Sequence, residues 1–181
     1  MTSAPQLPGR GIRSPLLNIV LHEPEIPNNT GNIGRTAIVL GASLHLIRPL
    51  GFDTDEKACR RAGLDYWPRL GVREHDSWRA FTASERPGSA WFFSALGTRS
   101  VFEAGFSRGD WLVFGKETAG LPAEILDAAP PDRVLRFPMM PGERGLNLAT
   151  AVCAAGYEAV RQMWARGDIR IECGCIREAN E

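Results

Sequence analysis

The sequence has few cysteines, no long apolar run and no excess of charge of either sign. Its four cysteines, Cys59, Cys153, Cys173 and Cys175, are too few and too irregularly spaced for a disulfide framework. Cys173 and Cys175 are separated by one residue, which is not the spacing of a zinc knuckle, and no histidine accompanies them. We therefore expect free thiols and no metal site.

Long hydrophobic segments are also missing. No stretch of about 18 apolar residues is present, and the N-terminus lacks the apolar region of a signal peptide. These absences predict a soluble cytoplasmic protein that makes no contact with a membrane. The net charge is zero, because lysine plus arginine and aspartate plus glutamate number 21 each. A nucleic-acid partner would therefore have to be bound by a local basic patch.

The chain has 181 residues, of which 44% are hydrophobic, and this is enough for one core but not for two domains. We expect a disordered lead-in over residues 1–15, where Pro, Gly, Ser and Arg follow no periodicity. The single domain is predicted over residues 16–166. Residues 167–181 are expected to form a polar, loosely held tail.

Within the domain, short apolar runs typical of buried strands alternate with helical patterns. Strands are predicted at residues 16–21, 44–47, 70–72, 91–93, 111–114 and 134–137. Helices are predicted from residue 29 or 30 to 40, at 55–62, from a Ser77 cap to about 83, at 123–128, and from 147 to about 166. The alternation favours an α/β layer structure with a largely parallel sheet, whose ligands lie beyond the carboxyl ends of the strands.

The loop after the last of these strands is rich in proline, which fixes the φ angle, and in glycine, which permits almost any φ. These residues are Pro138, Pro141, Gly142 and Gly145. Its main-chain N–H and C=O groups can face inward and read the edge of a flat, uncharged ring such as adenine, while Phe137 and Met139 cover the ring faces. The alternative is an ordinary connection between a strand and a helix.

Common nucleotide and catalytic motifs are absent. Neither G-x-G-x-x-G nor G-x-x-x-x-G-K-[ST] follows a strand, so NAD and ATP are disfavoured. The three histidines, His22, His45 and His75, are scattered, and the sequence shows no Ser-His-Asp or Cys-His arrangement of a nucleophile and its base. His45 is expected to be structural. What remains is a pocket for a flat ligand that is not recognised through phosphate.

Three segments together resemble a known family. The segments are Ile26-Pro-Asn-Asn-Thr-Gly-Asn-Ile-Gly-Arg35, Phe114-Gly-Lys-Glu-Thr-Ala-Gly-Leu-Pro122, and Phe137-Pro-Met continuing to Leu-Asn-Leu-Ala-Thr-Ala-Val152. They resemble the three motifs of the SpoU branch of the SPOUT RNA 2'-O-methyltransferases. Residues 17–162 are most similar to the subgroup that methylates the wobble cytidine or uridine of tRNA.

The resemblance implies the SPOUT α/β-knot fold, with a C-terminal deep trefoil knot, and an obligate homodimer. It implies S-adenosylmethionine as cofactor, bound by Phe93, Ser94, Gly115, Phe137, Met139, Gly145 and Leu146. One position departs from the family pattern, because Gly145 stands where relatives often carry serine. A side-chain hydroxyl is lost there, and we expect cofactor binding to be weaker by about one net hydrogen bond at most.

Arg35 is implied to be the catalytic arginine. Its forked, permanently charged guanidinium can hold the phosphate beside the target ribose and orient the 2'-hydroxyl, whereas it is poorly suited to act as a general base. In-line positioning of the activated methyl donor can then supply much of the rate. The alternative is a surface helix residue paired with Glu23 or Glu25.

Three further side chains have two open interpretations each. Asn29 is expected to cap the first helix and to contact the nucleotide, although capping alone would explain it. Glu117 either holds loop N–H groups or contacts Arg35 of a partner subunit, and a purely structural role is equally compatible with the sequence. Asn147 is either a helix cap or a substrate contact.

Arg60, Arg61, Tyr66 and Trp67 place charge beside aromatic surface, as single-stranded anticodon loops require, or else form a solvated helix face and core aromatics. Tyr157 and Arg161 are expected to face the dimer partner or the RNA. The leading hypothesis is methyl transfer to a ribose 2'-oxygen in the anticodon stem-loop of tRNA. Methylation of ribosomal RNA and a knotted RNA-binding module without activity are the alternatives.

Overall fold

The structure is a computed structural model that describes residues 14–52 and 67–179. Most of the predicted N-terminal lead-in and the predicted helix at 55–62 lie outside the described residues. So do Arg60, Arg61 and Tyr66, whose predicted contact with RNA therefore remains a prediction.

The first half of the described chain alternates strands and helices. The order is β1 (Asn18–His22), α1 (Pro27–Leu40), β2 (Ser43–Ile47), α2 (Trp67–Leu70), β3 (Arg73–His75), α3 (Trp78–Glu85) and β4 (Ala90–Phe93). Apolar residues in β1, β2 and β4 are almost fully buried, as expected of strands covered on both faces.

The second half begins with β5 (Arg99–Ser100) and a 3-10 turn (Val101–Glu103), followed by β6 (Trp111–Phe114) and α4 (Ala123–Ala128). A second 3-10 turn (Pro131–Arg133) leads into β7 (Val134–Arg136), and then come α5 (Leu148–Arg166), β8 (Ile169–Glu172) and β9 (Cys175–Glu178). No described helix is long and apolar enough to cross a bilayer.

Seven strands form one parallel sheet in the order β3-β2-β1-β6-β4-β7-β5, and β8 and β9 form a separate antiparallel hairpin. Ile33 of α1 and Val152 of α5 belong to the core on one face of the sheet. Phe81 of α3 and Ile125 of α4 belong to the core on the other face. The predicted α/β architecture with a largely parallel sheet is confirmed.

Helices α1 and α5 pack closely because Gly156 has no side chain. A Cβ atom at Gly156 would lie 2.5 Å from Cδ1 of Leu40. This contact packs the middle of α5 against the end of α1.

Four local predictions need correction. Helix α1 begins at Pro27 with Ile26 as its N-cap, so Asn29 lies inside the first turn and is not the cap. Residues 67–70 are helical and the strand lies at Arg73–His75, not at 70–72. The two-residue strand β5 was not predicted, because it forms only through its pairing with β7.

The fourth correction concerns the C-terminal segment, which was expected to be loosely held. Residues 169–178 instead form the β8–β9 hairpin, with Cys173 and Gly174 in the turn at φ values of 50° and 76°. Arg108 anchors the end of the hairpin through a two-pronged ion pair with Glu178. The hairpin is thus an ordered part of the protein.

Candidate functional site

The carboxyl ends of four adjacent strands bring the predicted pocket residues together. The strand register pairs Phe114 of β6 with Phe93 of β4 and with Leu21 of β1. The rings of Phe93 and Phe114 stack with centroids 4.3 Å apart, and Phe137 lies 5.7 Å from Phe93. The loops that follow these strands therefore start side by side at one edge of the sheet.

The turn after β6 depends on a glycine at its first position. A Cβ atom on Gly115 would lie 1.9 Å from the carbonyl carbon of Gly120, which no side chain could tolerate. The amide of Gly120 donates to the carbonyl of Lys116 at 2.9 Å, and Gly120 has a φ of 70°. The backbone at Gly115 is thus held in a tight turn at the edge of the site.

The loop between β4 and β5 lies directly against β7. The amide of Ser94 donates to the carbonyl of Leu135 at 3.0 Å, and a Cβ on Gly97 would lie 2.7 Å from the carbonyl carbon of Leu135. The hydroxyl of Ser94 accepts from the amide of Leu96 at 3.1 Å. Ser94 therefore shapes this loop through both its main chain and its side chain.

The loop after β7 carries the remaining predicted cofactor contacts. Met139 is partly exposed, while Gly145 and Leu146 are exposed. A turn closes between the amide of Glu143 and the carbonyl of Met140 at 3.2 Å. A Cβ on Gly145 would meet no atom within 4 Å, so the position of the missing serine is open space.

The carboxylate of Glu117 binds the start of α1. One oxygen accepts from the amide of Glu25 at 2.8 Å, and the other accepts from the amide of Ile26 at 3.3 Å and from the side-chain amide of Asn29 at 2.9 Å. Since no side chain within α1 caps that helix, the distant carboxylate takes the place of a local cap and lies favourably at the positive end of the helix dipole. The prediction that Glu117 holds loop N–H groups is confirmed.

Asn29 links the hydrogen bonds of Glu117 to the start of α5. Its side-chain oxygen accepts from the side-chain amide of Asn147 at 2.9 Å. The oxygen of Asn147 in turn accepts from the amides of Ala149 and Thr150 at the start of α5, so the predicted capping role of Asn147 is confirmed. Glu117, Asn29 and Asn147, one from each of the three motif segments, form one continuous chain of hydrogen bonds.

Two further cross-links join the loops after β1 and β6. The ammonium of Lys116 lies 2.7 Å from a carboxylate oxygen of Glu23, and this hydrogen bond is the main reason that the pKa of Lys116 is raised. The amide and hydroxyl of Thr118 donate to Glu25 at 3.1 and 2.8 Å. Sequence reasoning missed both links, although complementary side chains on two loops at the same sheet edge were a usable signal.

Arg35 lies on the exposed side of α1. It follows Asn29 by six residues, which corresponds to about 9 Å along the helix axis. Glu23 and Glu25, the partners proposed for it in the alternative interpretation, are bound to Lys116 and Thr118 respectively. Arg35 thus lies on α1, the helix whose first turn is held by the hydrogen bonds of Glu117 and Asn29.

Tyr157 and Arg161 lie further away. They occupy α5 at ten and fourteen residues beyond Asn147, or about 15 and 21 Å along the helix. The side chain of Arg161 pairs with Glu158 at 2.8 Å. Trp67 packs against the core, which agrees with the structural alternative for that residue.

Among the described residues, His45, His75 and Glu85 form a group of three potential metal ligands on the α3 face of the sheet. Nδ1 of His45 lies 3.1 Å from Nε2 of His75, and the two ring centroids are 5.3 Å apart. The two ring planes are parallel to within 8°, and the short distance between the two nitrogens is that of a hydrogen bond between two imidazoles. Glu85 is already paired with Arg73 at 3.0 Å.

The hydrogen bonds of Ser43 fix the tautomer of His45. Ser43 donates to the side-chain oxygen of Asn18 at 2.7 Å, and Asn18 donates its own amide to the carbonyl of Gly109. Ser43 must therefore accept from Nε2–H of His45, which leaves Nδ1 of His45 to accept from His75. Burial is the first cause that lowers the pKa of His45 to about 3, so its ring is neutral, as this pattern requires.

Comparisons with known proteins bear on the whole domain. Residues 16–157 match the model of the SpoU rRNA Methylase family. The tRNA (cytidine(34)-2'-O)-methyltransferase of Saccharophagus degradans is 49% identical over 152 residues, which cover 84% of this chain and 99% of that protein. The enzyme of the same name from Escherichia coli K12 is 47% identical over 154 residues, or 85% and 98% of the two chains.

Two solved structures are similar in fold and sequence. One, from work on 2'-OH methylation of C/U34 on tRNA, has a TM-score of 0.75 and 51% identity, covering 83% of this chain and 97% of its own. The other is the SpoU methyltransferase AviRb of Streptomyces viridochromogenes with the cofactor AdoMet. It has a TM-score of 0.68 and 28% identity over 83% of this chain and 59% of its own.

Proposed function

The chain belongs to the SpoU rRNA Methylase family, and from this premise we propose that it methylates the ribose 2'-hydroxyl of the wobble nucleotide of tRNA. The methyl donor is S-adenosylmethionine, and the acceptor is cytidine or uridine 34 in the anticodon stem-loop. Relatives at 47–49% identity that carry this activity in their names support the choice of substrate.

The observation that carries the proposal is the hydrogen-bonded chain from Glu117 through Asn29 to Asn147. It ties the helix that bears Arg35 to the two loops beside the stacked rings of Phe93 and Phe114. A methyl donor and an acceptor ribose must approach in line, and such rigid positioning is what accelerates the transfer. The network supplies that positioning.

The residues at the strand ends fit the cofactor. Phe137 and Met139, both only partly buried, offer apolar surface to the faces of the adenine ring, and the buried ring of Phe93 supports Phe137 from below. The backbone of Gly120 fills the space beside Gly115, so the tight turn holds main-chain groups at the edge of the pocket. Leu96, Met140 and Leu146 expose large apolar side chains on the surrounding loops. A bound cofactor would cover such side chains, together with Ser94, Met139 and Gly145 as further contacts.

When bound, the cofactor supplies a methyl group activated by a positively charged sulfonium sulfur, and that charge disappears on transfer, so the proposed reaction needs no metal ion. Arg35 binds the phosphate next to the target nucleotide and orients the 2'-hydroxyl. A guanidinium is a poor proton acceptor, so the hydroxyl proton leaves to a phosphate oxygen or water. Glu117 acts on Arg35 indirectly, by fixing the first turn of α1.

The proposal includes the trefoil knot. Strand β7 lies between β4 and β5, and the short link that joins those two strands crosses it. The bond from Ser94 to Leu135 and the close approach of Gly97 to the same residue support a chain that passes through its own loop.

We further propose a cytoplasmic homodimer with its two sites near the subunit interface. The exposed apolar side chains on α1 and α5 support this assembly. Arg60 and Arg61 are proposed to contact the anticodon stem-loop, and these contacts rest on the family resemblance.

The description of the family names ribosomal RNA, which makes an rRNA ribose the second candidate acceptor. Incubation of the purified protein with labelled S-adenosylmethionine and either anticodon stem-loops or rRNA fragments separates the two. We expect label in the stem-loop alone. Label only in rRNA would support the second candidate. Cofactor binding by calorimetry without any transfer would instead support an RNA-binding module that lacks activity.

A further inference from the structure

A groove of about 520 Å³ lies between the C-terminal half of α5, the end of α1 and the β8–β9 hairpin. Residues from all three elements line it, including Val39, Tyr157, Trp164, Ile171 and Ile176. The hairpin forms one wall, and it follows residue 157, where the match to the family model ends. This wall is therefore a feature of the chain beyond the part that the family model describes.

The groove is bordered by apolar side chains that project into solvent. Val39 is 58% exposed, Trp164 54%, Tyr157 50% and Ile171 44%. They are four of the nine large hydrophobic residues that are exposed in the described parts of the chain. Apolar surface concentrated in one place marks a contact with another macromolecule, whereas scattered exposed residues need no explanation.

The charges at the rim favour a protein over RNA. Arg161 is held by Glu158 through two bonds of 2.8 Å, and this ion pair is the first cause of the raised pKa of Arg161. Arg170 lies 3.5 Å from Glu172. RNA binding relies on cations that are available to phosphates. Arg177 also lines the groove and is exposed, but carboxylates lie beside the other two arginines. Two rims whose charges are balanced to this extent can meet without strong like-charge repulsion.

The shape of the surface favours a second copy of the same chain. A symmetric dimer brings one patch against the identical patch, so the patch must contain both the projecting groups and the hollow that receives them. Here Trp164 and Val39 project beside a hollow large enough for an indole ring. The aromatic residues Trp and Tyr are also the types most often found at the energetic centre of protein interfaces.

We propose that the β8–β9 hairpin is a dimerisation element, which together with α1 and α5 receives the same surface of a second copy. The inference rests on the homodimer included in the proposed function and names its surface. Val39 follows Arg35 by four residues, so the two lie on one face of α1 about one turn apart. A partner that covers Val39 therefore comes close to the arginine assigned to the reaction.

The test uses the full chain and three single substitutions: Trp164→Glu on α5, Ile171→Glu on the hairpin, and Phe102→Glu as control. Phe102 is 68% exposed and lies on the 3-10 turn after β5, outside the groove. Sedimentation velocity at several concentrations gives the dimer dissociation constant, circular dichroism checks folding, and methyl transfer is measured in parallel. We expect the first two variants to raise the constant by at least about tenfold, and the control to leave it unchanged.

The outcomes separate the inference from the proposed function. One result would overturn the role of the hairpin and leave the α1–α5 dimer in place. In that result Trp164→Glu loses the dimer, while Ile171→Glu folds and keeps the dimer dissociation constant of the wild type. A dimer that neither substitution weakens would place the interface elsewhere and overturn the inference. A wild-type monomer that methylates tRNA would overturn the dimer and the hairpin's role, while the proposed activity would stand.

Discussion

The side-chain amide of Asn147 donates a 2.9 Å hydrogen bond to the side-chain oxygen of Asn29, across 118 positions of the sequence. Because Asn147 also caps α5 and Asn29 is held by Glu117, the starts of two helices are locked to the turn after β6. The geometry of the candidate site thus depends on three side chains that are distant in sequence.

The first prediction concerns Glu117. Glu117→Gln replaces one acceptor oxygen with an N–H donor that faces the donors of Ile26 and Asn29, or of Glu25. We expect the free energy of unfolding to fall by about 1–3 kcal/mol and methyl transfer to fall with it. Urea unfolding and labelled methyl transfer measure the two effects. The exposed Asp127→Asn on α4 is the control, and equal stability of the two variants would contradict the role of Glu117.

The second prediction concerns Arg35. Arg35→Ala is expected to lower methyl transfer by at least about 100-fold, because the charge that holds the phosphate is lost from the transition state. Cofactor affinity, measured by calorimetry, should stay within a few fold. Arg79→Ala removes an exposed arginine on the other side of the sheet and should change neither quantity. A parallel loss of transfer and cofactor affinity in Arg35→Ala would mean that Arg35 only supports the fold.

The third prediction concerns Gly145, where this chain lacks the serine of the family pattern. A side chain at this position would meet no atom within 4 Å, so Gly145→Ser can be accommodated. The added hydroxyl is expected to tighten cofactor binding by up to about fivefold, the value of one net hydrogen bond. Gly145→Ala is the matched variant and should leave affinity near that of the wild type. Tighter binding by both variants would assign the gain to the backbone instead of the hydroxyl.

The fourth prediction concerns pH. His45 has a pKa of about 3 in the folded protein, mainly through burial, against 6.5 as the ordinary value. Between these values the unfolded chain binds a proton that the folded protein does not, so stability falls as the pH falls. From pH 7 to pH 5 we expect a loss of about 2 kcal/mol from this residue. His22 and His75, whose pKa values are also lowered by burial, act in the same direction.

The measurement for His45 is urea unfolding at pH 7 and pH 5, with His45→Gln as the comparison. The variant should be less stable at pH 7 but should lose less stability on acidification, because the group that titrates is gone. An identical pH dependence in both proteins would show that His45 is not the source.

Much of the fold follows from local pattern. Apolar runs between glycine and proline residues predict most of the buried strands, and Ala123–Ala128 has the predicted bounds. Ser77 and Asn147 cap their helices as expected, because a cap is a contact within a few residues. The convergence of Phe93, Gly115 and Phe137 also follows, since carboxyl ends of parallel strands share one edge.

The failures share a physical cause, because each depends on a distant partner. Asn29 was assigned as a cap, but Glu117 takes that place from about ninety residues away. Strand β5 has two residues and exists only beside β7. The hairpin was missed because its turn begins with Cys173 at positive φ, a conformation that sequence reasoning assigns to glycine or asparagine.

The central claim is tested most directly by methyl transfer to two synthetic anticodon stem-loops that differ by one atom. One carries a ribose at position 34, and the other carries a 2'-deoxyribose there and is otherwise identical. The account predicts one methyl group per molecule of the first and none on the second. Equal transfer to both, or transfer to a base of either, would contradict it.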